Sequence, residues 1–94
     1  MTTRGSNKYR IDYAAVVVKE DIPSLPTTAK TRIKQAIEER LMLDPIGFGK
    51  PLRYSLKGHR RLRVGDYRVL YRIAPETHTV HILAIKHRKD IYEV

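Results

Sequence analysis

Apolar and polar side chains alternate along Tyr9-Arg10-Ile11-Asp12-Tyr13, and that period of two predicts a short strand with Tyr9, Ile11 and Tyr13 on one face. The mixed stretch Ala14 to Leu25 follows, read as a short helix that ends near Pro23, with Pro23 and Pro26 as punctuation. From about 27 to 43 the apolar positions Ala29, Ile33, Ala36/Ile37 and Leu41 recur every three or four residues, the stripe of an amphipathic helix. Ser24 or Thr27 is expected to cap it, Pro26 to occupy its first turn, and Asp44-Pro45 to end it. Ile46 to Pro51 reads as a loop.

Beyond that loop the period returns to two. A strand is expected to begin at Pro51 to Leu56 and to break at Gly58-His59. In Arg60 to Val64, Leu62 and Val64 oppose Arg61 and Arg63. Gly65-Asp66 is a tight hairpin turn. In Tyr67 to Ile73, Tyr67, Val69, Tyr71 and Ile73 oppose Arg68, Leu70 and Arg72. After a turn at Ala74 to His78, the β-branched run Thr79 to Ile85 has the composition of a central strand. The order predicts an α+β domain: an N-terminal strand, one or two helices, then a three-strand antiparallel meander, with the helices on one face of a twisted sheet. With 94 residues this is one domain, expected over 8–94 behind a disordered tail at 1–7.

Charge sharpens the picture. Lys+Arg minus Asp+Glu is 19 − 10 = +9. Residues 1–49 carry 8 basic and 6 acidic side chains, whereas residues 50–94 carry 11 and 4, together with all four histidines. Between 53 and 72 seven cations (Arg53, Lys57, Arg60, Arg61, Arg63, Arg68, Arg72) stand against Asp66 alone. Such a block is either a solvated strand face or a surface that attracts a polyanion. It reads as strands, not as a basic membrane helix. No apolar run approaches the ~20 residues of a membrane span, and the first seven residues lack the apolar stretch of a signal peptide. With no cysteine, disulfide scaffolds, thiolate zinc sites and thiol catalysis are excluded.

Several chemistries find no support. Gly47-Phe48-Gly49 lacks the spacing of a phosphate loop. His78, His81 and His87 have no ligand spacing and no carboxylate to join them, so neither a metal nor another cofactor is expected. His59 and His78 read as loop residues, His81 as a sheet residue, and Tyr67 and Tyr71 as core. What remains is arginine on neighbouring strands. Arg61 and Arg63 share a face of one strand, and the turn brings Arg68 back beside them. Guanidinium grips phosphate oxygens as a bidentate fork and can stabilise a pentacoordinate phosphate, but it does not act as a base. A nuclease built this way needs a titrating group: His87 is the first candidate and Lys86 the second, while Tyr92 is a candidate to stack on a base or orient a phosphate.

The stretch Gly49 to Tyr92 resembles the RelE/ParE superfamily of type II toxin–antitoxin toxins. The likeness is carried by Gly49-Lys50-Pro51-Leu52, by Arg61-Leu62-Arg63-Val64-Gly65-Asp66-Tyr67-Arg68-Val69-Leu70-Tyr71, and by Ile85-Lys86-His87-Arg88-Lys89-Asp90-Ile91-Tyr92. The N-terminal strand and the long helix ending at Asp44-Pro45 fit as well. The resemblance implies a toxin neutralised by a cognate antitoxin. In the RelE branch such a toxin works in the cytoplasm, enters the A site of the 70S ribosome and cuts mRNA without a metal, the RNA 2′-hydroxyl attacking the adjacent phosphate. The resemblance places the family's basic pair on Arg61 and Arg63, its arginine after the turn on Arg68, its C-terminal basic residue on Arg88 and its terminal tyrosine on Tyr92. With His87 these are the catalytic candidates, and the neighbouring basic residues Arg53, Lys57, Arg60, Lys86 and Lys89 are expected to contact RNA or ribosome. Two departures stand out. Some members carry lysines where this chain has Arg61 and Arg63, which moves any proton shuttle to His87 or Lys86, and Pro23 interrupts the first helix. The alternatives are a ParE-type poison of DNA gyrase, sharing the fold but generally lacking the C-terminal His/Tyr pair, and an inactive binding module.

Overall fold

The computed structural model describes residues 8–91; the expected tail at 1–7 and the candidate Tyr92 lie outside the described residues. The elements run β1 (Arg10–Tyr13), a π-helical turn (Val17–Asp21), α1 (Thr27–Ala36) continuing into a second π-helical turn (Ile37–Leu41), α2 (Pro45–Phe48), β2 (Lys50–Pro51), β3 (Arg60–Val64), β4 (Tyr67–Ala74) and β5 (Thr79–His87). Short 3₁₀ turns at Tyr54–Leu56, Pro75–Thr77 and Arg88–Asp90 complete the chain. The sheet order is β1-β5-β4-β3-β2: β3, β4 and β5 form the expected antiparallel meander, and β1 pairs parallel to β5, with Ile11 beside Val80.

The helical stripe packs on one face of this sheet. Val17, Ile33, Ala36, Ile37 and Leu41 meet Leu62, Val64, Val69, Tyr71, Val80, Ile82 and Ile85, all essentially buried. The π-helical turns mark where the helices end: Ile22 N–H reaches Val17 O at 2.9 Å and Met42 N–H reaches Ile37 O at 3.1 Å, each five residues back.

Local readings differ in three places. Neither Ser24 nor Thr27 caps α1. Pro26 is its N-cap without a side-chain bond, and Ser24 Oγ instead donates to Glu20 O (2.7 Å) in the preceding helix. The expected loop at Ile46 to Pro51 contains a helical turn. The Asp44-Pro45 pair that ends one helix starts the next, because Asp44 Oδ1 accepts from Gly47 N (2.9 Å) and proline suits the first helical position. The expected strand from Pro51 to Leu56 is confined to Lys50–Pro51. Pro51 has no N–H to continue a ladder, and the chain turns through Tyr54 in the left-handed region (φ 59°).

Candidate functional site: a guanidinium cluster on the open sheet face

The β3–β4 hairpin turns on two residues, with Val64 facing Tyr67 across its neck. Gly65 sits at φ +60°, so the turn has glycine in its first central position, as a II′ hairpin requires. Strand alternation then sends Leu62, Val64, Val69 and Tyr71 into the core and Arg61, Arg63 and Arg68 to the open face. Arg63 lies directly opposite Arg68, and Arg61 directly opposite Leu70. Arg68 curls back over the turn, Nη1 donating to Gly65 O (3.1 Å) and Tyr67 O (2.9 Å). Arg88 arrives from the end of β5: its N–H donates to Asp66 O (2.7 Å), and its Nε lies 3.7 Å from Asp66 Oδ1.

These cations feel one another. Burial, then Arg63 and Arg68, lower the pKa of Arg61 below its ordinary value. Burial, then Arg63 and Arg88, lower that of Arg68, with Asp66 opposing. Both remain charged at working pH. Four sequence candidates, Arg61, Arg63, Arg68 and Arg88, are therefore gathered at one end of the sheet.

The remaining candidates are not all with them. Tyr67 faces His87 and Arg68 faces Lys86 across β4 and β5, so His87 occupies the core side of the strand and the arginines the other. The His87 ring stands edge-on to Tyr67 (centroids 5.3 Å apart) and lines a cavity of about 330 Å³ with Asp21, Leu25 and Ile85. Its Nδ1 accepts from Lys89 N (3.2 Å). Lys86 starts on the arginine face but bends around the strand edge to Asp21, Nζ to Oδ1 2.9 Å. That hydrogen bond holds its pKa above the ordinary value, so the second base candidate stays protonated. Arg60 is committed to the fold, Nη2 donating to Ile46 O (2.6 Å) and Gly49 O (3.0 Å). Arg53 and Lys57 are exposed beyond the Arg60 end of β3, opposite the turn that carries Arg68, and Lys89 is exposed in the last 3₁₀ turn. Among the described residues no group of three His, Asp or Glu side chains is arranged to hold a metal, and no helix is long and apolar enough to cross a membrane.

Sequence reasoning passed over Asp21, Asp66, Arg40, Lys50 and Phe48. Asp21 is 5% exposed and accepts both Lys86 and Ile85 N (2.9 Å), standing in for the strand that β1 no longer supplies past Ile82. Nothing in its local pattern announces this, because the partners lie 64 and 65 residues away. Lys50 pairs with Arg61 across β2 and β3, so the two share a face.

A family described as the ParE toxin of the type II toxin–antitoxin system parDE matches residues 17–92. Toxin RelG of Mycobacterium tuberculosis is 40% identical over 74 residues, 79% of this chain and 85% of the relative. Toxin RelE of the same organism is 33% identical over 86 residues, 92% and 88% of the two chains. Among solved structures, the RelBE2 toxin–antitoxin complex of M. tuberculosis superposes with a TM-score of 0.81 at 35% identity, covering 88% of this chain and 94% of the other. The archaeal RelE–RelB complex of Pyrococcus horikoshii gives 0.67 at 28% identity, covering 89% and 99%.

Proposed function

The chain belongs to the RelE branch of the RelE/ParE superfamily of type II toxin–antitoxin toxins, and we propose that it is a ribosome-dependent endoribonuclease that cuts mRNA in the A site and so arrests translation in the cytoplasm. One observation carries the reading: Arg63 faces Arg68 directly, with Arg61 on the same face and Arg88 alongside. Like charges placed opposite each other on a sheet cost the fold stability. An anion seated between them relieves that cost, and a phosphodiester matches the forked donors.

In the reaction the 2′-oxygen bonds to the adjacent phosphorus and the bond to the 5′-oxygen breaks, leaving a 2′,3′-cyclic phosphate and a 5′-hydroxyl. Extra negative charge develops on the non-bridging oxygens, where fixed guanidiniums stabilise it without reorganising. The 2′-hydroxyl loses a proton and the 5′-oxygen gains one. His87, at the same sheet end but on the core side of its strand, is the candidate for that exchange. With Nδ1 accepting from Lys89 N the neutral ring carries its hydrogen on Nε2, so it takes a proton only at Nδ1, once that bond is released, and donates from Nε2. Lys86, held protonated by Asp21, contributes field instead. Tyr92, two residues beyond the last 3₁₀ turn, completes the set as a stacking or phosphate-orienting group.

The partner is a cognate antitoxin, supported by the toxin–antitoxin complexes among the structural neighbours. An acidic segment that folds on this basic surface is expected to bind tightly and with strong salt dependence. Programmed ribosomes treated with the purified protein test the main reading. A-site cuts are expected, and Arg68→Ala is expected to slow them about 30- to 1,000-fold, roughly 2–4 kcal/mol of barrier. Absence of cuts, or cuts unchanged in that variant, refutes it. The match to the ParE family favours a second reading, inhibition of DNA gyrase; stalled cleavage complexes in a supercoiling assay, indifferent to His87→Ala, would select it.

A further inference from the structure

A groove of about 160 Å³ opens along the outer edge of β3, where two-residue β2 stops short, and is lined by Arg40, Phe48, Lys50, Arg61, Leu62 and Arg63. It brings four cations and one aromatic ring together with no carboxylate in its wall. The ring is the chain's one phenylalanine, and it stands 51% exposed. Its backbone is held firmly all the same. Tyr71 OH donates to Pro45 O (2.5 Å), and Arg60 binds the carbonyls of Ile46 and Gly49 on either side of the turn. Gly49 lies so close to Tyr71 that a Cβ there would overlap the phenol oxygen. Phe48 is thus a large apolar side chain held in solvent by a pinned turn, on a connection where Leu43 and Ile46 are exposed as well.

We infer that this groove is a nucleotide subsite, in which Phe48 stacks the base of a residue flanking the scissile phosphate while Arg40 and Lys50 hold its phosphate. The inference rests on the ribonuclease reading for its substrate class and extends it to residues that reading does not use. Arg61 and Arg63 belong both to this groove and to the guanidinium cluster, so one strand of RNA seated on the cluster continues directly over the ring. Charge alone would equally suit an acidic peptide. The exposed planar ring among guanidiniums is the feature that favours a base, since aromatic stacking is how single-stranded RNA is held without sequence readout.

The test measures fluorescence anisotropy of a short single-stranded RNA at low salt, where a strongly basic protein binds measurably. The probe has one nucleotide blocked by 2′-O-methylation and an abasic residue placed at each flanking position in turn. Stacking of one base is worth about 1–3 kcal/mol, so one abasic position is expected to weaken wild-type binding about 5- to 150-fold. Phe48→Ala is expected to lose the same factor with the intact probe and to be indifferent to that abasic position, and Phe48→Trp to restore it. Arg40→Gln is expected to shallow the salt slope by about 0.7. Unchanged affinity in Phe48→Ala, no abasic sensitivity in the wild type, or an equal loss of affinity for polyglutamate would overturn the inference. Thermal melting matched to wild type shows that Phe48→Ala is folded; if it is not, Phe48→Leu, apolar but unable to stack, takes its place with the same loss expected. Ribosomal cleavage is scored separately. Normal cleavage with an indifferent Phe48 sinks the subsite alone, and an abasic-sensitive groove on a protein that cuts nothing sinks the nuclease reading alone.

Discussion

Arg63→Gln is expected to make the protein more stable and less active at once. Arg63 faces Arg68 and lies one pleat period from Arg61, and each of those two neighbours registers its charge. Facing Cβ atoms on a sheet are about 4.5–5.5 Å apart, which puts exposed guanidinium centres roughly 7 Å apart. Two unit charges at that distance repel by about 332/(80 × 7) ≈ 0.6 kcal/mol in water. Two such repulsions, reduced by a Debye length of about 30 Å at 10 mM salt, sum to about 1 kcal/mol; with the 8 Å length at 150 mM they sum to about 0.5 kcal/mol. Glutamine keeps the length and much of the strand preference while removing the charge. A domain of this size gains roughly 4–8 °C in melting temperature per kcal/mol. The expected result is a rise of about 4–8 °C at low salt, shrinking to about half at physiological salt, alongside a 10²- to 10³-fold loss of cleavage rate. Melting curves at two salt concentrations and single-turnover cleavage on the same preparation read both. A variant that is no more stable and loses no activity would mean that the arginines are solvated independently and hold no phosphate between them. A gain that persists in high salt would assign the effect to something other than charge.

Asp21→Ala strips the acceptor from the buried Ile85 N–H and from Lys86, costing about 2–4 kcal/mol, nearly all of it from the orphaned backbone donor because Lys86 is half exposed; Asp21→Asn, which keeps an acceptor, should recover most of that in a urea titration. Burial raises the pKa of Tyr71, and the Asp21 bond raises that of Lys86, so both contribute stability that is complete below their ordinary values of 10.0 and 10.5 and is lost as pH rises through the higher folded values. Unfolding free energy should therefore fall above about pH 10, and Tyr71→Phe should flatten that fall while costing about 1–2 kcal/mol at neutral pH for the bond to Pro45 O; an equally steep alkaline limb in the variant would clear Tyr71 of the effect. Gly49→Ala drives a methyl group into the Tyr71 phenol, and a melting temperature within a degree of wild type would show that the turn is not pinned there.

Periodicity in the chain by itself settled the meander, the inward face of α1, the glycine turn and the common face of Arg61, Arg63 and Arg68. Each rests on neighbours within a few residues, where a helix repeats every 3.6 positions and a strand every two. Tertiary structure alone decided the other half of the site. Leu70 faces Ala84 while the next residue, Tyr71, faces Ile82, so β5 carries one extra residue at Leu83. That bulge reverses the alternation: Ile82 and Ile85 both point into the core, Lys86 joins the face of Arg68, and His87 is turned away from it. A strict period of two would have set His81 and His87 on one side. It could not have shown Lys86 drawn around the edge to Asp21, a carboxylate on the first helix that takes the place of an absent strand. Whether a strand slips by one residue is settled by the partners it pairs with across the sheet, and those are distant along the chain.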